Sequence, residues 1–217
     1  MRRGFHSFAD LPEVMPVFPL TGILLLPRAA LPLNVFEPRY LELVDDALKA
    51  NRLIGMIQPV ESEDTVLRPK LSQVGCAGKI IAWRESDDNR YLITLAGLCR
   101  FRVKEEISAL SGYRQVACDF KPFAGDLAQS DEDGDFPRER LLAALKDYLS
   151  RRDMKADWKS VMTAPAESLV NALAMMCPFE PAEKQALLEA PSWTDRVSTL
   201  VALLEISTAG QGPGTLN

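Results

Sequence analysis

Two apolar segments, VGCAGKII at residues 74–81 and LAGLCRFRV at residues 95–103, decide how the first half of this chain folds. The residues between them include the polar run Ser86-Asp87-Asp88-Asn89. Serine, aspartate and asparagine are typical of tight turns, and two apolar runs on either side of such a turn indicate a β-hairpin. We therefore predict paired strands over residues 78–85 and 89–95, followed by a further strand over residues 98–106.

Short apolar runs continue outward from this hairpin in both directions. Proline and glycine punctuate the runs at 17–20, 23–26 and 31–36, and residues 113–123 alternate between apolar and polar side chains. Residues 38–51 differ, because their apolar side chains recur every three or four positions, as in an amphipathic helix that begins at Pro38. Several short strands with one early helix predict a closed or partly closed β-barrel over residues 1–125.

The second half of the chain has a different pattern. Residues 126–136 are polar and acidic, as expected of a linker, and they lack the spacing of a calcium-binding EF-hand. We predict a helical subdomain over residues 137–207, with helices at 137–152, 166–176, 181–189 and 192–206. Their apolar stripes must pack together or against the barrel, since such helices are marginal alone. We expect residues 208–217 to be a disordered tail.

Composition and charge describe a globular protein. The 217 residues are 47% hydrophobic and 25% charged, with a formal net charge of -5. A negative net charge disfavours nucleic acid as the main partner, since phosphate binding requires a concentrated basic field. Arg100, Arg102 and Lys104 alternate along one predicted strand, and we interpret them as a solvated strand face rather than a nucleic-acid site.

The cysteines and the single histidine, His6, do not suggest a metal centre or disulfides. No two of the four cysteines form a CxxC pair, the usual sign of structural zinc. Cys76, Cys99 and Cys118 lie in apolar strand-like runs, where they are expected to act as small hydrophobic residues, and a reducing compartment suits all four. These four are Cys76, Cys99, Cys118 and Cys177.

The N-terminus contains a pair of arginines, Arg2 and Arg3, that could be read as a twin-arginine export signal. Acidic residues precede the apolar run and prolines interrupt it, and the run is too short to span a bilayer. We therefore expect a cytoplasmic protein without a membrane segment.

No catalytic motif is evident. The nearest match to a phosphate-binding loop, residues 75–80, has the wrong spacing and no hydroxyl after Lys79, so its glycines are expected to allow a bulge or close packing. The serines and the acidic pairs Asp45/Asp46 and Asp87/Asp88 show no pattern of an activated nucleophile or an acid–base pair. We predict no catalytic, cofactor-binding or metal-binding residues and no cofactor.

Four segments carry a resemblance to a known family. MPVFPL (15–20), NVFEPRY (34–40), the strands of residues 75–103 and EKQALLE (183–189) resemble, in order and spacing, the N-terminal substrate-binding domain of ATP-dependent Lon proteases. The resemblance covers about residues 15–205. It implies a PUA-like β pseudo-barrel followed by an α-helical bundle, and recognition of unfolded or tagged proteins. The ATPase and the Ser–Lys protease domains of Lon enzymes have no counterpart in these residues, so we expect a module without enzymatic activity.

Three functions follow as hypotheses. The first is a non-catalytic protein- or peptide-binding module, an adaptor in protein quality control with a protease or a chaperone as candidate partner. Recognition could use free strand edges and a groove near residues 35–40 and the acidic linker. The alternative is an RNA-binding PUA-like protein, and a third is an enzyme whose site only the fold assembles. Core packing is the expected role of four aromatic residues, so we assign no peptide-binding residues. The four are Phe36, Tyr40, Trp83 and Phe101.

Overall fold

A computed structural model describes residues 10–60, 68–88, 90–108, 110–128 and 136–209. The chain divides into two compact units, Met1–Gln129 and Ser130–Asn217. Each unit has its own set of buried apolar side chains, so each builds its own hydrophobic core.

The first unit is a β-barrel closed by one long strand. Its strands are β1 (Val14–Pro19), β2 (Ala30–Val35), β3 (Leu53–Ile57), β4 (Val74–Glu85), β5 (Tyr91–Ile107) and β6 (Arg114–Asp119). They are ordered β2-β5-β4-β3-β1-β6, and β6 also pairs with β5. The first part of β5 pairs with β2 and its last part with β6, which brings the two ends of the sheet together. Among the described strands, β1 and β3 are the pair that runs parallel, and the other pairs are antiparallel. The predicted pseudo-barrel is confirmed.

The β4–β5 hairpin forms around the predicted turn, and its glycines allow close packing. Ser86 donates its N–H to the carbonyl oxygen of Arg90 (2.9 Å). A Cβ on Gly75 would lie 2.5 Å from Cζ of Phe101, and one on Gly97 would lie 2.0 Å from the carbonyl oxygen of Leu26. Since no real Cβ approaches other atoms so closely, the chain can pass these two points only as glycine.

Helix α1 (Pro38–Lys49) begins at the predicted proline and packs one face into the barrel unit. Its buried side chains are Tyr40, Leu43, Val44 and Ala47. Two tyrosines, one in β5 and one just before β6, bind its polar face. The hydroxyl of Tyr91 donates to Asp45 (2.7 Å), and the hydroxyl of Tyr113 donates to Asp46 (2.9 Å). The adjacent acids of this helix therefore have separate structural partners.

The prediction for Arg100 is wrong, because this side chain is buried rather than solvated. Only 5% of Arg100 is exposed, and its guanidinium donates two hydrogen bonds of 2.9 Å to the carboxylate of Asp126. Asp126 lies in a 3-10 helix, Lys121–Leu127, rather than in an open linker. The alternation of polar and apolar residues along β5 did not predict this burial, because the 3-10 helix covers the outer face of β5 at Arg100. Arg102 and Lys104 are exposed, as predicted.

The second unit consists of helices. They are α2 (Arg138–Arg151), α3 (Trp158–Thr163), α4 (Ala166–Met176), α5 (Pro181–Glu189) and α6 (Trp193–Ala209). The bounds of α4 and α5 agree with the prediction, and α3 was not predicted. Helix α6 runs past the predicted end of the subdomain at residue 207, so the predicted tail begins too early. Residues 210–217 and the linker residues 129–135 lie outside the described residues.

The core of the second unit forms where α2 packs on α6. Tyr148 of α2 is 1% exposed, and Leu141, Leu200 and Leu204 are fully buried. The buried Arg196 donates from Nε to the carbonyl oxygen of Leu187 (3.1 Å), which ties α6 to the end of α5. This packing fixes α2, α5 and α6, and leaves α3 at the margin of the unit.

Candidate functional site

The second unit contains an open apolar groove of about 400 Å³. It is lined mainly by aliphatic side chains of α2, α3 and α4 together with the loop that joins α2 to α3. The lining includes Leu145, Leu149, Val161, Leu169, Leu173 and Met176. We call this surface the apolar groove. A concave surface of this composition can bury apolar groups of a ligand, a favourable process of roughly 25 cal/mol for each Å² removed from water.

Helix α3 forms one wall of the apolar groove without being buried. All six of its residues are described, and none of their side chains is buried. Polar contacts at its two ends hold it instead. Asp157 caps its start by accepting from the N–H of Lys159 (3.1 Å). Arg138 donates from Nη2 to the carbonyl oxygens of Val161 (3.1 Å) and Met162 (2.8 Å) at its end. The apolar side chains of α3 are thus left available for a ligand.

Two exposed methionines, Met154 and Met176, line the apolar groove, and exposed apolar side chains also occur on helix α3. Met176, which lines it, is 79% exposed, and Met162 on α3 is 57% exposed. Met154 and Trp158 are each 39% exposed. Methionine has three rotatable bonds and a polarisable sulfur, so it can adapt to ligands of different shapes. Exposed methionines at this groove can therefore contact apolar ligands of different shapes.

A second cavity of about 340 Å³ adjoins the apolar groove. The two share Leu149, Met154, Lys155 and Ala156. The second cavity adds Lys146 and Trp158, and we call it the lysine pocket. Both lysines are exposed, and among the described residues neither forms a salt bridge. The lysine pocket therefore places two positive charges, without a salt bridge among the described residues, beside the apolar groove.

The thiols of this protein are poorly suited to nucleophilic chemistry. Desolvation raises the pKa of Cys177, at the apolar groove, to about 11. Burial likewise raises the pKa values of Cys99 and Cys118 to about 12. A thiol must be deprotonated to attack, so these remain protonated near neutral pH. Within the described ranges, no three His, Cys, Asp or Glu residues are grouped so that they could hold a metal ion.

The barrel offers little free strand edge. Among the described strands, only β2 pairs on one side alone, because β6 returns to β5. Gly97 donates its N–H to the carbonyl oxygen of Ala29 (2.8 Å). The backbone N–H and C=O groups of successive residues in β2 point alternately toward β5 and toward the free edge. Since Ala29 points toward β5, Pro32 points toward the free edge, where it has no N–H to donate. Recognition by strand addition, which we predicted, would have to use this short interrupted edge.

The four aromatic residues expected in the core divide into two pairs. Tyr40 and Phe101 are buried as predicted, being 3% and 0% exposed. The prediction is wrong for Phe36 and Trp83, which are 60% and 50% exposed. They lie near the end of β2 and on the part of β4 beyond its register shift at Ile80/Ala82. Neighbouring residues Val35 and Ile93 are buried, so exposure here depends on what covers each side chain, which alternation along a strand does not show.

Sequence reasoning did not find the apolar groove. The lining residues of α3 that the groove uses are Asp157, its cap, and Ser160 and Val161, and they form no apolar periodicity along the chain. Helix α3 is also too short for such a periodicity to stand out. The predicted location near residues 35–40 and the linker stays a prediction.

None of the helices in the described part of the chain is both long and apolar enough to cross a membrane.

Comparison with known proteins gives consistent matches. Residues 14–205 match the family model described as the ATP-dependent protease La (LON) substrate-binding domain. Lon protease 2 of Thermus thermophilus is 26% identical over 206 residues, which cover 92% of this chain and 25% of that protein. Lon protease of Dictyoglomus thermophilum is 32% identical over 103 residues, which cover 48% of this chain and 13% of that protein. The chain thus spans a quarter or less of these two relatives.

Two solved structures are similar in fold. The Lon N-terminal domain protein from Xanthomonas campestris has a TM-score of 0.58 and 25% identity, with 87% of this chain and 97% of that chain covered. The N-terminal domain of the Mycobacterium avium complex Lon protease has a TM-score of 0.60 and 17% identity, with 88% and 97% covered. Since the family model spans most of the chain and these folds agree, the chain belongs to the family of LON substrate-binding domains.

Proposed function

We propose that this protein is a non-catalytic recognition module that binds apolar segments of unfolded or tagged proteins in the apolar groove. Its role would be that of an adaptor in protein quality control, with a protease or a chaperone as partner. The observation that carries the proposal is an exposed apolar groove in the second unit whose lining includes Met154 and Met176. Membership in a family of substrate-binding domains supports the same reading.

The physical basis is exposure of apolar residues in non-native chains. A folded protein buries most of its large aliphatic and aromatic side chains, so an apolar groove selects against folded proteins without reading a defined sequence. About 400 Å³ accommodates a few side chains rather than a whole domain. Moderate affinity is then expected, and it would let a bound segment be handed on to a partner.

Binding of a labelled apolar peptide tests this proposal. A fluorescein-labelled peptide with a run of leucine and phenylalanine between Gly-Ser flanks is titrated with the protein, and anisotropy gives the dissociation constant. The variant Met176→Glu places a charge on the groove at a residue that is 79% exposed. We expect it to weaken binding at least tenfold, because the carboxylate would have to be desolvated against the ligand.

The matched control is Ile206→Glu, on the α6 residue that is 64% exposed and outside the lining of the groove. It should bind like the wild type, and circular dichroism should show all variants folded. Equal binding by the wild type and Met176→Glu would assign the peptide to another surface. Lack of any binding by the wild type would overturn the function.

A further inference from the structure

The apolar groove and the lysine pocket adjoin and differ in chemistry. They share four lining residues, and one of these, Lys155, places its charge on the lining of both. The groove is mainly aliphatic, and the pocket carries Lys146, Lys155 and the ring of Trp158. An extended ligand would therefore meet apolar and positive regions in succession.

The charge around the lysine pocket is opposite in sign to that of the whole protein. Residues 146–159 contain five lysines and arginines and three aspartates, whereas the whole chain has a net charge of -5. Asp157 is engaged as the cap of α3, since it accepts hydrogen bonds from Lys159 and Ser160. Arg152 lies over the ring of Tyr148, 4.7 Å from its centroid. Lys146 and Lys155 are the cations directed to the cavity, and they favour an anionic ligand group.

We propose that the preferred occupant is an apolar protein segment bearing acidic side chains directly beside its apolar run. Its apolar side chains occupy the apolar groove, and its carboxylates lie near Lys146 and Lys155. This inference rests on the proposed function and adds the charge class of the substrate. Exposed charge pairs are individually weak and are screened by salt, so the two lysines confer selectivity of about threefold to tenfold.

Three peptides with one apolar core and different flanks test the charge preference. The flanks are glutamate, glutamine or lysine, and anisotropy is measured at low and at high salt. We expect the glutamate-flanked peptide to bind about fivefold more tightly than the glutamine-flanked one at low salt. The lysine-flanked peptide should bind most weakly. The differences should shrink at high salt, because exposed charges are then screened.

The double variant Lys146→Glu/Lys155→Glu should reverse this order. Its matched control is Lys104→Glu/Lys121→Glu, which changes the net charge equally at two exposed lysines of the first unit. The control should retain the wild-type order. If it also reverses, net charge rather than the lysine pocket sets the preference, and the inference fails.

Failure of this inference is distinguishable from failure of the proposed function. Equal affinity of the wild type for all three peptides would overturn the charge preference and leave apolar binding intact. No measurable binding of any peptide would overturn the proposed function itself.

Discussion

The barrel unit and the helical unit differ in how completely their strands and helices are packed. The barrel closes its sheet through β5 and pairs its buried charge, Arg100, with Asp126. The helical unit leaves an apolar groove open beside α3, a helix with no buried side chain. This difference is the reason for placing the proposed binding site in the helical unit.

Element length explains this difference. Strand β5 has 17 residues, enough to pair with three other strands and close the barrel. Helix α3 has six residues, fewer than two full turns, and cannot present a continuous stripe to a core. A short helix held by polar contacts is expected to open more readily than a strand inside a closed sheet. Four predictions follow for stability and binding.

The largest effect on stability is expected from Asp126→Ala in the barrel. This substitution leaves the guanidinium of Arg100 buried without its carboxylate, which costs about 4 kcal/mol of unfolding free energy. Hydrogen–deuterium exchange should show lost protection in β4 and β5, with protection retained in α2 and α6. The control Asp147→Ala, at an exposed residue, should change stability by less than about 0.5 kcal/mol. Equal protection in Asp126→Ala and the wild type would mean that the ion pair does not stabilise the barrel.

A somewhat smaller effect is expected from Leu200→Ala in the helical unit. Leu200 is fully buried, and truncation of such a leucine costs about 3 kcal/mol through lost burial and the cavity that remains. Chemical denaturation followed by circular dichroism measures the loss. Ile206→Ala, on an exposed residue of the same helix, is the control and should be near neutral. Hydrogen–deuterium exchange of α2 should also become faster. Exchange in α2 equal to that of the wild type would contradict packing of α6 against that helix.

Alkaline pH should destabilise the barrel over a wider range than the helical unit. Burial raises the pKa values of Cys99 and Cys118 from 9.0 to about 12, and that of Cys177 to about 11. Above pH 9 the unfolded chain loses these protons while the folded protein keeps them. Stability is therefore fully present below pH 9 and falls as pH rises toward the folded pKa values. Each proton difference contributes a slope of about 1.4 kcal/mol per pH unit.

Urea denaturation at several pH values between 8 and 10.5 measures this slope. The variant Cys118→Val removes one buried thiol and should reduce the slope by about 1.4 kcal/mol per pH unit, the contribution of one proton. A slope identical to that of the wild type would show that this thiol does not contribute to the alkaline loss. The hydrogen bond to Asp45 raises the pKa of Tyr91 to about 12, and this tyrosine adds a smaller loss above pH 10 because solvent screens it.

The smallest effect on stability is expected from Met176→Ala at the apolar groove. Because this side chain is 79% exposed, the unfolding free energy should change by less than about 0.5 kcal/mol. Affinity for the apolar peptide should nevertheless fall several-fold, as one of the adaptable contacts is lost. Isothermal titration calorimetry beside thermal denaturation separates the two effects. A large loss of stability would place Met176 in the core instead.

Local signals made several elements predictable from the sequence. Pro38 and Pro181 mark helix starts because their fixed φ suits the first helical residue and their missing N–H is not needed there. The periodicity of residues 166–176 and the turn residues after Glu85 are equally local. The site was less predictable. Exposure of Phe36 and Trp83, and the groove beside α3, depend on which elements cover them.

The sequence by itself determined the family, the hairpin, the positions of most helices and strands, and the barrel class. These depend on periodicity, turn chemistry and local spacing, which are readable along the chain. Only the tertiary structure decided that Arg100 is buried with Asp126, 26 residues away, and that Met154 and Met176 line one groove. Burial and pairing depend on contacts between residues distant in sequence, and periodicity shows which face is apolar without showing what covers it.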